Sequence, residues 1–412
     1  MSDTVLDQYG NVTIYKEDTH PSPIYHVDGE IPSNPYGKLQ ALFEDDGLEE
    51  VMYNGGQQCV KVAHRKHGMC RTNIWIEDEE GIEISKNIAS FTAVPLGDGP
   101  GLVPIFDGRL PDGSRVNGTI PPVTPDGPTL TIRKFQEDPL TMINLIKFGS
   151  VNIRLAAMMW VWIEGLDSRP ANFVIAGGTG SGKTTTLNCL GMFIPWDKRL
   201  LTVEDTAELQ VYHDHWLRME TRRPRPDGTT EIDMNDCLKS SLRMRPDRII
   251  VGEVRGPECA TLLTAMNTGH DGSFGSLHAN TAAETITRMI NPPMNVPPIM
   301  LSGLDLIIIQ ARLHVQGKTA RKITEVAEIA GMEGDKPRLN AIWKYDPKSD
   351  KIVETGIPSK LREVICDAAG VTPAEFEQHV QQRMQILNDL VKRDITDIQT
   401  VTKVIQGFYS SR

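Results

Sequence analysis

The chain has 412 residues, 39% of them apolar, and carries a formal net charge of −11. Its length is sufficient to bury at least one large core and suggests two or three domains. The excess of acidic residues argues against a general nucleic-acid-binding protein, whose binding surface would be basic, although arginines cluster locally in residues 218–225 and 243–248.

Cysteine usage and hydropathy indicate a protein of the reducing cytosol. The six cysteines are scattered and form no C-x-x-C pair, a pattern typical of an intracellular chain rather than of a disulfide scaffold. Residues 1–17 are polar and acidic and lack the apolar region of a secretory signal. The longest apolar run, residues 155–163, is far shorter than the roughly 18–20 residues that span a bilayer. We therefore expect a soluble protein that reaches a membrane only through a partner.

The first 135 residues predict a leader followed by a small α+β domain. Residues 1–34 show no hydrophobic periodicity, and we expect them to form a flexible leader. Residues 35–135 form the predicted domain, with a short helix at 39–43 and a tight Asn-Gly-Gly turn at 54–56. Its predicted strands cover residues 48–53, 59–63, 70–76, 106–110, 115–119 and 129–135.

Four residues of this domain, Cys59, His64, His67 and Cys70, have a spacing that suggests zinc. If they lie on a hairpin whose turn is centred near Lys66 and His67, Cys70 faces Ala63 and Cys59 lies ~13 Å further along the strand. A tetrahedral site needs every ligand within ~2.3 Å of the ion. We therefore interpret the segment as a solvated basic turn.

The remainder predicts a helical linker at 136–168, a mainly parallel α/β domain at 169–346 and a helical tail at 347–412. In the α/β domain, apolar runs of four to six residues alternate with helical patterns, as in a sheet covered on both faces. Its strand candidates are 173–176, 200–203, 249–251 and 273–277, and its helix candidates are 184–193, 236–244, 259–267 and 282–290. A hairpin is predicted from 305–312 and 323–329, with Gly317 in its turn. Within the tail, a helix is expected to begin at Pro373.

A phosphate-binding loop follows the strand candidate at 173–176. The residues Gly177, Gly178, Thr179, Gly180, Ser181, Gly182, Lys183 and Thr184 match the pattern G-x-x-x-x-G-K-[ST]. Glycines allow successive N–H groups to point at phosphate oxygens, and the dipole of the following helix faces the same anion. Lys183 supplies positive charge to the β- and γ-phosphates, and Thr184 offers a hydroxyl to Mg²⁺. The motif predicts an ATP and Mg²⁺ site, with Thr185 as a further contact.

Two acids and a histidine end other predicted strands of this domain. Glu253 follows the strand at 248–251, which we expect beside the phosphate-loop strand, and Glu204 follows the strand at 199–203. Either acid would hold Mg²⁺ through water or act as the catalytic base, and the sequence does not divide these roles. His278 is predicted to contact the γ-phosphate. For His270, in a Gly-flanked turn, structural and functional roles are equally compatible with the sequence.

Taken in order, these motifs resemble the four boxes of the secretion-ATPase superfamily. The boxes are residues 177–184, Thr202-Val-Glu-Asp, residues 242–256 and Thr268-Gly-His-Asp-Gly, and residues 109–117 and 127–135 resemble its N-terminal domain. That superfamily drives type II and type IV secretion, type IV and tight-adherence pili, and the archaellum. The resemblance covers about residues 35–345 and is nearest to the archaeal pilus and archaellum branch. The shorter N-terminal region favours a tight-adherence-type assembly ATPase, and the missing four-cysteine insert implies no structural zinc.

The resemblance implies a RecA-like ATPase domain in a homohexameric ring, with ATP between the N- and C-terminal domains. Arginines would close over the nucleotide from the same or a neighbouring subunit: Arg109, Arg115, Arg133, Arg218 and Arg222. It also implies a cytoplasmic motor, peripheral at the inner face of the cell membrane. Its partners would be a polytopic membrane platform protein and a pilin-like or secreted cargo, with no stable nucleic acid.

Two other functions are compatible with the same motifs. One is a hexameric nucleic-acid translocase whose channel is lined by the basic segment 218–225. The other is a regulatory nucleotide-binding module without useful turnover, against which the acids Glu204 and Glu253 argue.

Overall fold

The computed structural model describes residues 4–17, 20–29, 36–92, 94–135, 139–222, 224, 228–315, 318–334 and 336–410. The chain divides into two compact units. Unit 1 comprises Met1–Glu137 and Pro224–Glu231, and unit 2 comprises Asp138–Arg223 and Ile232–Arg412. Over the described residues, each unit is built on its own nine-stranded sheet.

Unit 1 is an α+β fold with a mostly antiparallel sheet. Its strands are β1 (Thr4–Tyr9), β2 (Val12–Lys16), β3 (Ile24–Val27), β4 (Leu48–Asn54), β5 (Lys61–His64), β6 (Gly68–Thr72), β7 (Ile105–Arg109), β8 (Arg115–Thr119) and β9 (Thr129–Arg133). Its helices are α1 (Gln40–Phe43) and α2 (Asp78–Phe91). The strand order is β1-β2-β3-β6-β5-β4-β9-β8-β7, and among the strand pairs of the described residues only β3–β6 is parallel. Alternate strand residues such as Leu130 and Ile132 are buried, as expected when one sheet face covers a core.

The expectation of a flexible leader is wrong over the described residues 4–17 and 20–29. These residues form β1–β3, and Val12, Ile14 and Tyr25 are buried in the core of unit 1. The strands are only four to six residues long, so each shows too few alternations to stand out from a polar background.

Two further local features of unit 1 differ from the sequence-based prediction. Helix α2 was not predicted, because its few apolar residues stand among acids. In the β5–β6 hairpin, Cys70 pairs with Val62 rather than with Ala63, since the turn is centred on Lys66 instead of between Lys66 and His67.

Unit 2 contains a parallel sheet extended by antiparallel strands. Its strands are β10 (Phe173–Ala176), β11 (Leu200–Glu204), β12 (Trp216–Glu220), β13 (Arg248–Val251), β14 (Phe274–Leu277), β15 (Leu306–Val315), β16 (Lys318–Glu333), β17 (Lys336–Asp346) and β18 (Lys351–Glu354). The order is β12-β11-β13-β14-β10-β15-β16-β17-β18, and β10–β15 are mutually parallel. Strands β12, β17 and β18 were not predicted, because they are more polar than the central strands.

Helices cover both faces of this sheet. They are α3 (Met142–Lys147), α4 (Ile153–Glu164), α5 (Lys183–Gly191), α6 (Met234–Ser241), α7 (Glu258–Asn267), α8 (Ala282–Ile290), α9 (Lys360–Ala369), α10 (Pro373–Lys392) and α11 (Ile398–Ser410). Alternate residues of β10 enter opposite cores, Phe173 and Ile175 on one face and Val174 and Ala176 on the other. The predicted fold class is confirmed: unit 2 is a RecA-like P-loop domain with a helical C-terminal end.

The predicted linker and tail belong to the same core of unit 2. Helix α4 packs against α10, and Pro373 begins α10 as expected. The Trp160 indole donates to Tyr409 Oη at 2.6 Å, and that hydroxyl donates to the Phe193 carbonyl at 2.7 Å. A fully buried ion pair between Glu164 and Arg383 also joins α4 to α10.

Gly317, the predicted hairpin turn, lies outside the described residues. Among the described residues, none of the helices combines the length and apolar character that crossing a bilayer requires.

Candidate nucleotide-binding site

The phosphate loop connects β10 to α5 and requires glycine at several positions. Gly180 and Gly182 have φ angles of +70° and +95°, in the left-handed region that other residues avoid. At Gly177, a Cβ would lie 2.2 Å from the carbonyl oxygen of Gln310. The sequence pattern therefore produces a compact loop that a side chain at these positions would disrupt.

The Lys183 ammonium lies within the loop. Its Nζ donates to the carbonyl oxygens of Gly177 and Gly178, at 2.9 and 3.1 Å. The side chain is 8% exposed, and burial lowers the pKa of the ammonium, although the charge of Glu253 acts in the opposite direction. Because phosphate oxygens are stronger acceptors than carbonyl oxygens, the ammonium is expected to exchange partners when a nucleotide binds.

The loop has the chemistry of a phosphate site. Ser181 Oγ is buried and, within the described part of the chain, has no hydrogen-bond partner. An orphaned hydroxyl beside positive-φ glycines, at the N-terminus of α5, fits an anionic ligand. Thr184 lies partly exposed in the first turn of α5, and a hydroxyl at this point is a suitable ligand for Mg²⁺. These residues therefore fit a Mg-nucleotide.

The strand order corrects one sequence-based prediction. The strand that precedes Glu253, β13, does not lie beside β10, because β14 is inserted between them. Strand β14 ends next to His278, so the histidine, and not the acid, follows the strand adjacent to the phosphate loop. Strand β11, which ends in Glu204, is the next neighbour of β13. The parallel strands therefore bring both acids and the histidine to the carboxyl edge of the sheet.

Glu253 is held by two cationic or polar side chains. His278 Nε2 lies 2.7 Å from Glu253 Oε1, and Arg255 Nη2 donates to Oε2 at 2.6 Å. Burial raises the pKa of the Glu253 carboxyl, but Arg255, His278 and Lys183 together lower it below the usual range. Burial, with the charge of Lys183, lowers the pKa of His278. An ionised carboxylate therefore faces a mainly neutral imidazole at neutral pH.

Glu204 has a different environment. Its side chain is buried, and Oε1 accepts hydrogen bonds from the backbone N–H groups of Glu208 and Leu209, both at 2.9 Å. Burial raises the pKa of the Glu204 carboxyl to about 7, and the two amides and Arg218 limit the rise. The carboxyl therefore anchors the segment that follows β11 and is partly protonated at neutral pH.

This environment predicts a pH-dependent stability. Because the folded-state pKa lies above the unfolded one, the stabilisation is full below the unfolded pKa and is lost as the pH rises through 7. Between pH 4.5 and 8, without added metal, the free energy of unfolding of the wild type should fall by about 3 kcal/mol relative to Glu204→Gln. Urea unfolding of the two proteins measures this difference. Parallel stability curves would show that Glu204 titrates normally.

The arginines named from the resemblance are distributed over both units. Within unit 1, Arg109, Arg115 and Arg133 are cross-strand partners on β7, β8 and β9 and form one row. Within unit 2, the Arg218 guanidinium packs over the Trp216 ring at 4.4 Å and donates to the Leu209 carbonyl.

The remaining two residues singled out by sequence have backbone roles. Arg222 forms an isolated β-bridge with Ile232. The carbonyl of His270 accepts from Ser273 Oγ at 2.7 Å, and His270 Nδ1 is buried without a hydrogen-bond partner among the described residues.

Two residues that hold parts of the site together were not predicted from the sequence. Gln310 on β15 is buried, and its Oε1 accepts from the Thr186 hydroxyl at 2.8 Å, which ties α5 to the sheet. Arg255 joins Glu253 to Asp205, whose Oδ2 it approaches at 3.3 Å. The position of Arg255, two residues after Glu253, was a usable signal, whereas Gln310 required knowledge of the strand order.

Comparison with known proteins identifies the chain's relatives. A family model described as Type II/IV secretion system protein matches residues 101–397. An uncharacterised protein of Methanocaldococcus jannaschii is 32% identical, over 90% of this chain and 75% of its own length. A putative conjugal transfer protein of Mycobacterium tuberculosis is 30% identical, over 75% of this chain and 88% of its own. The crystal structure of the VirB11 ATPase from the Brucella suis type IV secretion system is 25% identical, with a TM-score of 0.34, and the match covers 70% of this chain and 94% of that one.

Proposed function

Because the chain belongs to the type II/IV secretion system protein family, we propose that it is an ATPase motor that drives protein secretion or pilus-like assembly. The observation that supports the proposal most is a convergence at one sheet edge. There, the parallel strands β10, β14 and β13 end at the phosphate loop with Lys183, next to His278 and near Glu253, and His278 Nε2 lies 2.7 Å from the Glu253 carboxylate. Phosphoryl transfer needs little more than positioning and fixed charge, and these residues provide both.

Each residue of the edge has a role in this proposal. The amides of residues 177–184 and the Lys183 ammonium bind the phosphates, and Glu253 orients the attacking water and accepts its proton. His278 lies beside that carboxylate and contacts the γ-phosphate side of the site. When bound, Mg²⁺ would neutralise charge on the phosphate oxygens, with Thr184 and, through water, Glu253 or Glu204 as its ligands.

The two acids then have separate tasks. The oxygens of Glu253 lie beside two side chains, Arg255 at 2.6 Å and His278 at 2.7 Å, whereas Glu204 Oε1 is fixed by two backbone amides. A base must be ionised and reachable by water, and Glu253 meets both conditions better than the buried Glu204. We assign Glu253 as the base and Glu204 as the residue that positions the segment after β11.

The mechanical part of the proposal follows the family. ATP binding closes the two domains, with Arg109, Arg115 and Arg133, Arg218 and Arg222 completing the site in the same subunit or a neighbour. Hydrolysis reopens them, and sequential closure around a homohexamer moves a polytopic membrane platform protein at the inner face of the membrane. The cargo is a pilin-like or secreted protein.

A ring of six subunits predicts a mass that depends on nucleotide. At micromolar concentration, light scattering should show the chain assembling to six copies when Mg-ATP is added, because an interfacial nucleotide stabilises the assembled state by mass action. Glu253→Gln, which should hold ATP without hydrolysing it, is the variant in which the ring is expected to persist longest. A chain that stays strictly monomeric with Mg-ATP in both proteins would contradict the ring.

A nucleic-acid translocase is the alternative. The one basic segment that suggested it contains Arg218, whose guanidinium is already engaged by Trp216 and by the Leu209 carbonyl. ATP turnover that is stimulated by DNA and falls steeply with salt would nevertheless favour this alternative over the secretion motor.

A further inference from the structure

The β15–β16 hairpin extends past the phosphate loop. Strand β15 pairs with β10 only over Leu306–Ile309, in parallel, and then continues to Val315 before β16 returns. Strand β10 ends at Ala176, where the chain enters the phosphate loop. The next six residues of β15 therefore extend past the end of β10 by roughly 20 Å, at about 3.3 Å per residue. The hairpin therefore lies beside the phosphate loop, and both belong to unit 2.

Three side chains of this extension lie against the loop and its helix. Gln310 accepts from the Thr186 hydroxyl, as described above. Arg321 Nε donates to the carbonyl oxygen of Gly180 at 2.9 Å. Arg312 Nη1 lies 3.9 Å from the place that a Cβ at Gly180 would take. Two guanidinium groups thus converge on one loop residue.

These two arginines face each other directly. Arg312 and Arg321 are cross-strand partners in the β15–β16 register, and both are exposed. Like charges placed opposite each other destabilise a strand pair. In the described part of the chain, neither guanidinium forms an ion pair with a carboxylate, whereas the exposed Arg255 pairs with Glu253 and Asp205, and the exposed Arg288 pairs with Glu284. A like-charged pair that lacks a counter-charge is suited to an anion supplied from outside the chain.

The bond from Arg321 also orients the loop. In a trans peptide the C=O and N–H groups point in opposite directions. With the Gly180 carbonyl turned toward Arg321, the N–H of Ser181 is directed into the loop, where it lies 3.3 Å from the Gly178 carbonyl. Arg321 therefore fixes the orientation of the peptide between Gly180 and Ser181 in the phosphate loop.

We propose that Arg312 and Arg321 form a cis-acting arginine clamp that binds the polyphosphate of a nucleoside di- or triphosphate held in the phosphate loop. This inference rests on the proposed function, because it assumes that the loop binds a nucleotide. Guanidinium groups bind phosphate oxygens through paired N–H donors, and two of them provide a charge of +2 beside a single loop. The clamp comes from the same unit as the loop and is separate from the arginines named by the resemblance.

Isothermal titration of the full chain with ATP, ADP and pyrophosphate tests the clamp. Arg312→Ala and Arg321→Ala should each weaken all three ligands about tenfold, since each variant removes one charge-assisted contact to phosphate. Arg321→Lys keeps the charge but not the Nε donor to Gly180, so it should recover part of the affinity. Arg338→Ala, which removes an exposed arginine of β17 in the same sheet, is the matched control and should bind like the wild type.

The outcomes separate the clamp from the proposed function. If the wild type binds ATP, Lys183→Ala does not, and both arginine variants bind like the wild type, the clamp is excluded and the nucleotide site stands. Weakened ATP with unchanged pyrophosphate would also overturn it, because the arginines would then contact base or ribose. A wild type that binds none of the three ligands overturns both proposals. Equal thermal unfolding midpoints of the variants show that losses of affinity do not come from misfolding.

Discussion

Lys183→Ala is expected to lower ATP turnover by about 100-fold or more, the effect typical of removing one preorganised charge from a phosphoryl-transfer site. The ammonium is buried in the loop and makes its contacts with the Gly177 and Gly178 carbonyls. Steady-state phosphate release, measured with saturating Mg-ATP, gives the size of the loss, and titration with ATP shows how much of it is lost binding.

The control for this variant is Lys239→Ala, which removes an exposed lysine near the end of α6. It changes the net charge by the same amount and should leave turnover unchanged. Lys183→Ala also removes two hydrogen bonds within the loop, so its thermal unfolding midpoint must be compared with that of the wild type. Normal turnover in a folded Lys183→Ala protein would mean that residues 177–184 are not the catalytic site.

Glu253→Gln is expected to reduce turnover by about 10²–10⁴-fold while ATP binding is retained, because the amide is nearly isosteric but cannot accept the proton of the attacking water. Arg255 Nη2 and His278 Nε2 lie 2.6 and 2.7 Å from the two carboxylate oxygens, and the carbonyl of glutamine can still accept from one of them. Single-turnover kinetics on preloaded protein separates the loss of chemistry from a change in affinity.

A matched control is Glu363→Gln on the exposed face of α9, which also replaces one carboxylate by an amide. Its turnover should equal that of the wild type. If Glu253→Gln hydrolyses ATP normally, the base is not Glu253, and Glu204 becomes the acid to test next. If it no longer binds ATP, the carboxylate is needed for metal or nucleotide binding rather than for proton transfer.

Much of unit 2 was predictable because its signals are local. The central strands are short, continuous apolar runs such as Phe173–Ala176, and the glycines and Lys183 of the loop follow at fixed spacing. The apolar face of α10 was also readable from periodicity, since Val380, Leu387 and Leu390 are all buried. Each of these predictions depends only on residues that are close together in the sequence.

Features that depend on contacts between distant segments were not predictable. Strand β14 lies between β10 and β13 because strands that are distant in the sequence pair with each other. Nothing in the residues before Glu253 indicates this strand order. The pairing of Arg312 with Arg321 requires the register of β15 on β16, which includes an irregularity after Ile309.

Polar strands at the sheet edges, or next to an edge as in β17, form a second group that was not predicted from the sequence. Strands β12, β17 and β18 alternate polar and apolar residues irregularly, because they are only partly buried. The same is true of β1, the outermost strand of unit 1, which has no fully buried residue. Such strands show too little apolar periodicity to be distinguished from loops by sequence alone.

Steady-state phosphate release by the purified full chain with Mg-ATP, measured side by side for the wild type, Lys183→Ala and Glu253→Gln, tests the proposed ATPase activity directly. We expect sustained release by the wild type, release lowered by about 100-fold or more in Lys183→Ala, and bound ATP with release lowered by about 10²–10⁴-fold in Glu253→Gln. Absence of release by a folded, ATP-bound wild type would contradict it, as would equal release by all three proteins.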